Sequence, residues 1–333
     1  MIPRRTSNLP PLSKALRLRG EFIQTVRDWF REQGFVEAET PLLVASGAVE
    51  PALDPFTVRG RNFSGQLPTS PEFQLKRLLS EYDADFFEIA RAFRDEPVSA
   101  THQPEFTMLE WYRTGRDYEA LMEDCDGLLR TLADWMAARF PENNTLPDLF
   151  RLEYATVEAV FRRHANLELA EFLPPAPAEK LIAEARHRGH LSAESATWDD
   201  ACFSIFLAEI EGKLGRTGPL LLYDYPASQA ALARLKPDDS RWAERVELYL
   251  NGVELGNGFS ELTDPTEQRR RVTHADAERR ARGEMPHPEP ANLYAALDRG
   301  LPSCAGMAIG LDRLYLLITG GKNLREVLFL PRE

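Results

Sequence analysis

Two strand-like stretches joined by a short polar loop constrain the fold of this chain more than any other feature. The stretches 85–96 and 105–113 carry β-forming residues in alternating patterns. Three further stretches of the same kind, 219–225, 246–262 and 304–311, are mostly separated by loops or turns. Strands joined in this way pair antiparallel, so the sequence predicts an α+β protein with a mainly antiparallel sheet flanked by helices.

Helical patterns are predicted before and inside this sheet. Residues 14–34 place apolar side chains close to helical spacing and end at Gly34, and 35–43 indicates a strand. From about 117 to 218 the pattern becomes helical with proline-rich breaks, which indicates an insertion packed on the sheet. A second, independent domain is the alternative. Because strand patterns resume after the insertion, we predict a single domain over residues 1–333.

The composition is that of an ordinary globular protein. With 333 residues and 43% hydrophobic content, the chain can bury a substantial core. It has no apolar run long enough to cross a bilayer and no secretory signal, so we predict a cytoplasmic protein without membrane contact. The formal net charge of −12 disfavours a general nucleic-acid binder. Cys125, Cys202 and Cys304 are far apart, which favours buried free thiols over disulfides or a zinc site.

The loop between the first two strands has the chemistry of a nucleoside triphosphate site. Arg94 and His102 can neutralise phosphate oxygens, and Phe106 offers a flat face for a base. Glu110 and Tyr112 stand at alternate positions, so an extended chain points both to one face beside the triphosphate. The sequence therefore predicts a site that holds ATP next to a cationic small molecule.

Three segments resemble the motifs of class II aminoacyl-tRNA synthetases. Residues 34–43 resemble motif 1, residues 93–110 resemble motif 2, and residues 306–314 resemble motif 3. The segments occur in the right order and extend over almost the whole chain. The resemblance implies the class II catalytic fold.

A narrower resemblance is to lysyl-tRNA synthetases, carried by residues 69–72, 102–112 and 254–262. Lysine is therefore the template for the substrate. Lysyl-tRNA synthetases carry an anticodon-binding β-barrel before motif 1, whereas the motif 1 glycine of this chain is already Gly34. We therefore expect no N-terminal anticodon-binding domain.

A catalytic domain that stands alone resembles the elongation factor P (R)-β-lysine ligase family, to which residues 110–112 and 225–233 are also similar. Ala308 is also similar to the ligase family, which has alanine at this position, whereas lysyl-tRNA synthetases usually have glycine. The added methyl group takes up space that an α-amino acid would use, and such a change is worth roughly 1–3 kcal/mol in discrimination. A preference for the β-amino isomer follows as a hypothesis.

The resemblance implies ATP contacts from motifs 2 and 3. The forked guanidinium of Arg94 bridges the amino-acid carboxylate and the α-phosphate, and Arg313 holds the γ-phosphate; these are the two predicted catalytic residues. Adenine stacks between Phe106 and Arg313. The predicted ATP-binding set is Arg94, Glu96, His102, Gln103, Phe106, Glu247, Glu254, Leu255, Gly310 and Arg313. Gln103 replaces the asparagine that is usual in these families, so its longer side chain can reposition an ATP contact.

The resemblance also implies a pocket for a dicationic lysine, in which carboxylates and a tyrosine hydroxyl accept from the amines. Asn257 helps Arg94 to hold the carboxylate, and Phe259 lines the aliphatic stem. The predicted substrate-binding set is Ser70, Pro71, Glu72, Glu110, Tyr112, Asn257, Phe259, Glu261 and Ala308. Plain core packing is the alternative for Phe259.

Three glutamates, Glu247, Glu254 and Glu261, recur every seven residues through two predicted neighbouring strands. By resemblance, Glu247 and Glu254 bind a Mg²⁺ ion that bridges the phosphates, and Glu261 turns to the substrate amine. An exposed strand face is the alternative for glutamates at this spacing. The adjoining Gly-Asn-Gly-Phe sequence favours the metal site.

The resemblance implies an ATP-dependent aminoacyl ligase that adenylates (R)-β-lysine or lysine and transfers it to a lysine side chain of elongation factor P. The acidic net charge favours this protein acceptor over tRNA. Two alternatives remain, a truncated lysyl-tRNA synthetase that charges tRNA and a catalytically inactive synthetase-like binding module. Motif 1 helices typically build a two-fold interface, so a homodimer is expected under every hypothesis.

Overall fold

One eight-stranded sheet forms the centre of the computed structural model, which describes residues 12–141, 147–192 and 196–332. The strands of the described residues are β1 (Val36–Glu37), β2 (Thr57–Arg59), β3 (Ser64–Gln66), β4 (Phe86–Phe93), β5 (Glu105–Thr114), β6 (Glu153–Thr156), β7 (Leu220–Pro226), β8 (Trp242–Leu250), β9 (Val253–Ser260) and β10 (Cys304–Gly310). Their order in the sheet is β1-β4-β5-β10-β9-β8-β7-β6, and β2 and β3 form a separate ribbon.

Antiparallel pairing dominates the sheet, and the two edge pairs, β1 with β4 and β6 with β7, are parallel. The predicted α+β class with a mainly antiparallel sheet is therefore confirmed. The predicted strand over 35–43 is shorter in the structure, where β1 ends at Glu37. Beyond it, the Thr40 amide donates to a carboxylate oxygen of Glu88 at 2.9 Å, and Pro41 has no amide hydrogen to offer a neighbouring strand.

Helices cover the sheet and fill the region before β7. Within the described residues they are α1 (Lys14–Glu32), α2 (Glu72–Glu81), α3 (Tyr118–Arg139), α4 (Val157–Ala165), α5 (Ala178–His187), α6 (Trp198–Ile205), α7 (Pro265–Ala281), α8 (Ala291–Arg299) and α9 (Leu311–Ile318). Ser13 caps α1, because its hydroxyl accepts from the Leu16 amide at 3.2 Å. None of these helices combines the length and the apolar character needed to cross a membrane.

The two faces of the sheet have opposite roles. On one face, alternating side chains such as Leu109 and Trp111 pack against Phe22 and Phe30 of α1 and Leu128 of α3 in the main hydrophobic core. The residues between them point to the other face. Their register is fixed by pairing: Glu110 lies opposite Ala308, Ala308 opposite Asn257, and Asn257 opposite Glu247. The polar face is therefore built from neighbouring strands rather than from one segment.

The predicted helical insertion between β5 and β7 is confirmed in its described part, while 142–146 and 193–195 lie outside the described residues. Its first helix, α3, belongs to the main core, and α4 to α6 form a second core with β6 and β7. The sequence prediction missed β6. Four residues are too few to show an alternating pattern, and β6 pairs with β7 across more than sixty intervening residues.

A buried ion pair joins α1 to the second and third motif segments. A guanidinium nitrogen of Arg19, on α1, contacts a carboxylate oxygen of Asp312, which begins α9. The other Asp312 oxygen accepts from the backbone amide of Thr107 on β5 at 2.9 Å. The Thr107 hydroxyl also accepts from Arg19 at 3.2 Å. One carboxylate thus fixes a helix, a strand and a second helix to one another.

The variant Asp312→Ala tests this contact. It should lower the free energy of unfolding by about 3–5 kcal/mol, because it leaves the Arg19 guanidinium as a buried charge without its partner. Urea denaturation followed by tryptophan fluorescence measures the loss. The control is Asp126→Ala, which breaks an exposed pair with Arg130 and should cost less than about 1 kcal/mol. Equal losses in the two variants would contradict a central role for Asp312.

Candidate active site

A cleft opens on the polar face between β5, β9, β10 and the start of α9. All but one of the residues predicted to bind ATP line this cleft. They are Arg94, Glu96, His102, Gln103, Phe106, Glu254, Leu255, Gly310 and Arg313. The exception, Glu247, lies on the neighbouring strand β8. The predicted substrate residues Asn257 and Ala308 also line the cleft. Leu255 can offer only its backbone, because its side chain is buried in the main core.

Arg94 is placed to meet a ligand. It follows β4, and its guanidinium carbon lies 5.4 Å from the centroid of the Phe106 ring on β5. Its Nε is buried and finds no hydrogen-bond partner among the described residues. A buried cationic donor without a partner is costly unless an anion joins it, so this geometry suits a phosphate or a carboxylate.

Arg313 enters the cleft from the opposite side. Its Nε donates to the Thr101 carbonyl at 2.9 Å, and one terminal nitrogen donates to the Glu254 carbonyl at 3.3 Å. Burial, together with the charge of nearby Arg94, lowers the pKa of Arg313. Two guanidiniums that repel each other in a half-buried cleft gain from a polyphosphate between them.

The loop between β4 and β5 carries four predicted ATP contacts, and it holds two of them, His102 and Gln103, in different ways. Burial first, and then the Arg313 charge, lowers the pKa of His102, which favours a neutral imidazole that can still donate a hydrogen bond. Its Nδ1 lies 2.9 Å from the Ser99 hydroxyl. The buried side-chain oxygen of Gln103 accepts from the backbone amide of Arg332 at 2.9 Å. That oxygen is already used, so a contact of Gln103 with ATP would come from its amide nitrogen or backbone.

Glu247 and Glu254 have the donor chemistry of a magnesium site. Burial and the neighbouring Glu247 carboxylate raise the pKa of Glu254 to about 7, so a cation between the two is favourable. No cluster of three or more metal-binding side chains occurs in the described parts of the chain. Mg²⁺ is commonly held by one or two carboxylates together with substrate phosphates, and this pair beside the cleft fits that arrangement.

Next to the cleft, the predicted amine-binding residues lie together in a buried cluster, which would serve as the amine pocket. Glu110, Tyr112 and Glu261 are 2–3% exposed and Glu72 is 8% exposed. The Tyr112 hydroxyl donates to Glu110 Oε1 at 2.8 Å, whereas Glu110 Oε2 has no partner among the residues described. Burial raises the pKa of Glu110 well above its ordinary value, and the Glu72 charge adds to this effect. A cationic ligand would give Glu110 Oε2 a partner and would offset the repulsion between the Glu110 and Glu72 carboxylates.

The remaining predicted substrate residues frame this pocket. The Ser70 hydroxyl accepts from the Glu72 amide at 3.3 Å, and Pro71 lies at the N-terminal end of α2. Phe259 is buried in a hydrophobic cluster that includes Tyr112. Ala308 lies between Glu110 and Asn257 in the sheet register. It therefore stands where the cleft meets the pocket.

Two charged residues of the site were missed by the sequence analysis. Lys76, on α2, is 2% exposed, and its ammonium contacts Glu72 and lies 2.7 Å from Glu261 Oε2. Arg245, on β8, donates to Glu247 Oε1 at 2.6 Å and to the Asn257 side-chain oxygen at 3.1 Å. The spacing of four residues between Glu72 and Lys76 was a usable signal, although such pairs usually lie on exposed helix faces.

The variant Gly306→Ala tests the packing of the pocket. A Cβ at this position would lie 2.7 Å from Tyr112 Cζ, nearer than carbon atoms approach without bonding. The Tyr112 ring must then shift, so we expect a loss of about 1–3 kcal/mol in the free energy of unfolding, measured by urea denaturation. The control is Gly20→Ala, on an open helical surface, which should stabilise by up to about 1 kcal/mol. An unchanged stability of Gly306→Ala would mean that Tyr112 is not held against this glycine.

The comparisons with known proteins agree with this geometry. The family model described as tRNA synthetases class II (D, K and N) matches residues 6–333. Proteins named elongation factor P–(R)-β-lysine ligase are similar over nearly their full length. The one from Mannheimia succiniciproducens is 36% identical over 324 residues, which cover 95% of this chain and 94% of the relative. The one from Pectobacterium atrosepticum is 36% identical over 338 residues, or 98% of each chain. The chain therefore belongs to the class II tRNA synthetases and, within them, to the elongation factor P–(R)-β-lysine ligase family.

Proposed function

We propose that this protein is an ATP-dependent ligase that activates (R)-β-lysine or lysine as an adenylate and transfers it to a lysine side chain of elongation factor P. One observation carries the proposal: a cleft lined by Arg94 and Arg313 adjoins a buried cluster of three carboxylates on the same sheet face. A triphosphate fits the first, and the two ammonium groups of a diamino acid fit the second. The names of the relatives support elongation factor P as the acceptor.

The proposed reaction has two steps. A carboxylate oxygen of the amino acid attacks the α-phosphorus of ATP, the bond from that phosphorus to the bridging oxygen breaks, and pyrophosphate leaves. The acceptor amine then attacks the acyl carbon, an amide forms, AMP leaves, and the amine proton passes to phosphate or solvent. Arg94 offsets the repulsion between the two anions of the first step. Mg²⁺, when bound by Glu247 and Glu254, would neutralise phosphate charge.

We propose that the chain acts as one catalytic domain over residues 1–333, in the cytoplasm and as a homodimer. The partly exposed apolar side chains of Val36, Leu42 and Leu43, directly after α1, support an interface at the first motif. The formal net charge of −12 supports a protein acceptor over tRNA, because tRNA binding draws on basic surface.

Intact-mass analysis of elongation factor P tests the proposed function. The acceptor is incubated with this protein, Mg²⁺, ATP and each lysine isomer, and its mass should increase by one aminoacyl group. Arg94→Ala should abolish the increase, because Arg94 is the residue proposed to join the carboxylate to the α-phosphate. Label that is retained on tRNA and released by RNase would instead support a truncated synthetase. The absence of pyrophosphate exchange with both isomers would support an inactive binding module.

The variant Ala308→Gly should relax selection toward α-lysine. Removing one methyl group between Glu110 and Asn257 opens space where cleft and pocket meet, and such a change is worth roughly 1–3 kcal/mol. The ratio of kcat/KM for the two isomers in pyrophosphate exchange should shift about tenfold or more toward α-lysine. An unchanged ratio would remove Ala308 from the selection of the isomer.

Binding of the amino acid should strengthen as the pH rises toward about 8. Burial raises the pKa of Glu261 to about 8. This carboxyl must lose its proton before it can pair with an ammonium group, so protons compete with the substrate at lower pH. Below this pKa, KM for lysine in pyrophosphate exchange should fall by about tenfold for each unit by which the pH rises. Glu261→Gln removes one titrating group and should weaken this dependence to the part that Glu72 and Glu110 cause; a flat wild-type profile would contradict the assignment.

A further inference from the structure

Lys76 is a buried cation that the proposed reaction does not use. It lies on α2, one helical turn after Glu72, with its side chain 2% exposed. Its ammonium contacts Glu72 and lies 2.7 Å from Glu261 Oε2, at the end of β9. A buried lysine pays a large desolvation cost, so its retention in this position requires compensation by the two carboxylates.

The surroundings of this ammonium are acidic on every side. The groups that face it or its two partners are Glu72 on α2, Glu110 and Tyr112 on β5, Glu261 after β9, Cys304 on β10 and Glu50 before β2. Arg234, the other cation near Cys304, is paired with Glu244 at 2.7 Å. Lys76 is therefore the cation that balances Glu72 and Glu261 within the described part of the chain.

We propose that Lys76 is a positioning residue for amine recognition, a fixed counter-ion that holds Glu72 and Glu261 in place and in their carboxylate form. When the three carboxyl groups are ionised, they and one ammonium leave two negative charges, which match the two ammonium groups of a diamino acid. Glu110, whose Oε2 has no partner in the described structure, stays available to the substrate. The inference rests on the proposed function, because it assigns Lys76 to the same amino-acid pocket.

This role predicts a specific change of pH dependence. The charge of Lys76 lowers the pKa values of both Glu72 and Glu261 against the effect of burial. Without it, both carboxyls hold their protons to higher pH, where they cannot pair with the substrate amines. In Lys76→Met, the acidic limb of kcat/KM for lysine should move up by at least about one pH unit. KM for lysine near neutral pH should rise about tenfold or more, and KM for ATP should stay unchanged.

Pyrophosphate exchange with the full-length protein tests this inference. Lys76→Arg keeps the charge and should keep the wild-type position of the acidic limb, whereas a loss of packing alone would not be rescued by charge. Lys180→Met, on the exposed surface, serves as the control and should match the wild type in every parameter. An acidic limb that does not move in Lys76→Met, or an equal rise of both KM values, would overturn the proposal.

A second variant covers the case in which Lys76→Met fails to fold. Lys76→Met combined with Glu261→Gln removes one charge of each sign, so the buried pocket keeps its net charge. Compared with Glu261→Gln alone, the double variant should still shift the acidic limb upward, because Glu72 loses its counter-ion. Identical profiles would overturn the role of Lys76. Failure of the wild type to exchange pyrophosphate with either lysine isomer would instead overturn the proposed function itself.

Discussion

The contact between Arg19, Asp312 and the Thr107 amide is the constraint on which the site depends. It is buried and charged, so it tolerates little displacement. It fixes β5 against the start of α9. Both halves of the site use β5, since Phe106 lines the cleft and Glu110 lies in the pocket. A shift of this strand would change the distance between the cleft and the buried carboxylates, which the proposed chemistry must keep constant.

The site is electrically polarised along one face of the sheet. Arg94 and Arg313 place two cations in the cleft, beside Glu96 and Glu254, while Glu110 and Glu261 lie in the adjoining buried cluster. Each half carries repulsion between like charges in a poorly solvated environment, which shows in the lowered pKa of Arg313 and the raised pKa values of the glutamates. A ligand with an anionic end and a cationic end lowers the charge repulsion in both halves only in one orientation. The proposed substrate would thus be oriented by charge.

Much of the fold and of the site could be predicted from local patterns. Alternation over 105–113 assigned Glu110 and Tyr112 to one face, and the structure agrees. The spacing of Glu247, Glu254 and Glu261 predicted neighbouring strands, which are β8 and β9 with the residue that follows. Short elements could not be predicted in this way. The strand β6 and the early end of β1 depend on pairing with distant segments and leave too few residues for a period to show.

The sequence by itself determined most of the strands, the family to which the chain belongs, and the residues that we propose meet a nucleotide and an amino acid. Only the tertiary structure decided which charges those residues face. Lys76 meets Glu261, and the Gln103 side chain meets the Arg332 amide, across long stretches of chain. Local periodicity records which face a side chain takes, but the partner on that face comes from the packing of α2 and of the C-terminal segment. Burial then makes those partners matter, because an unpaired charge there is costly.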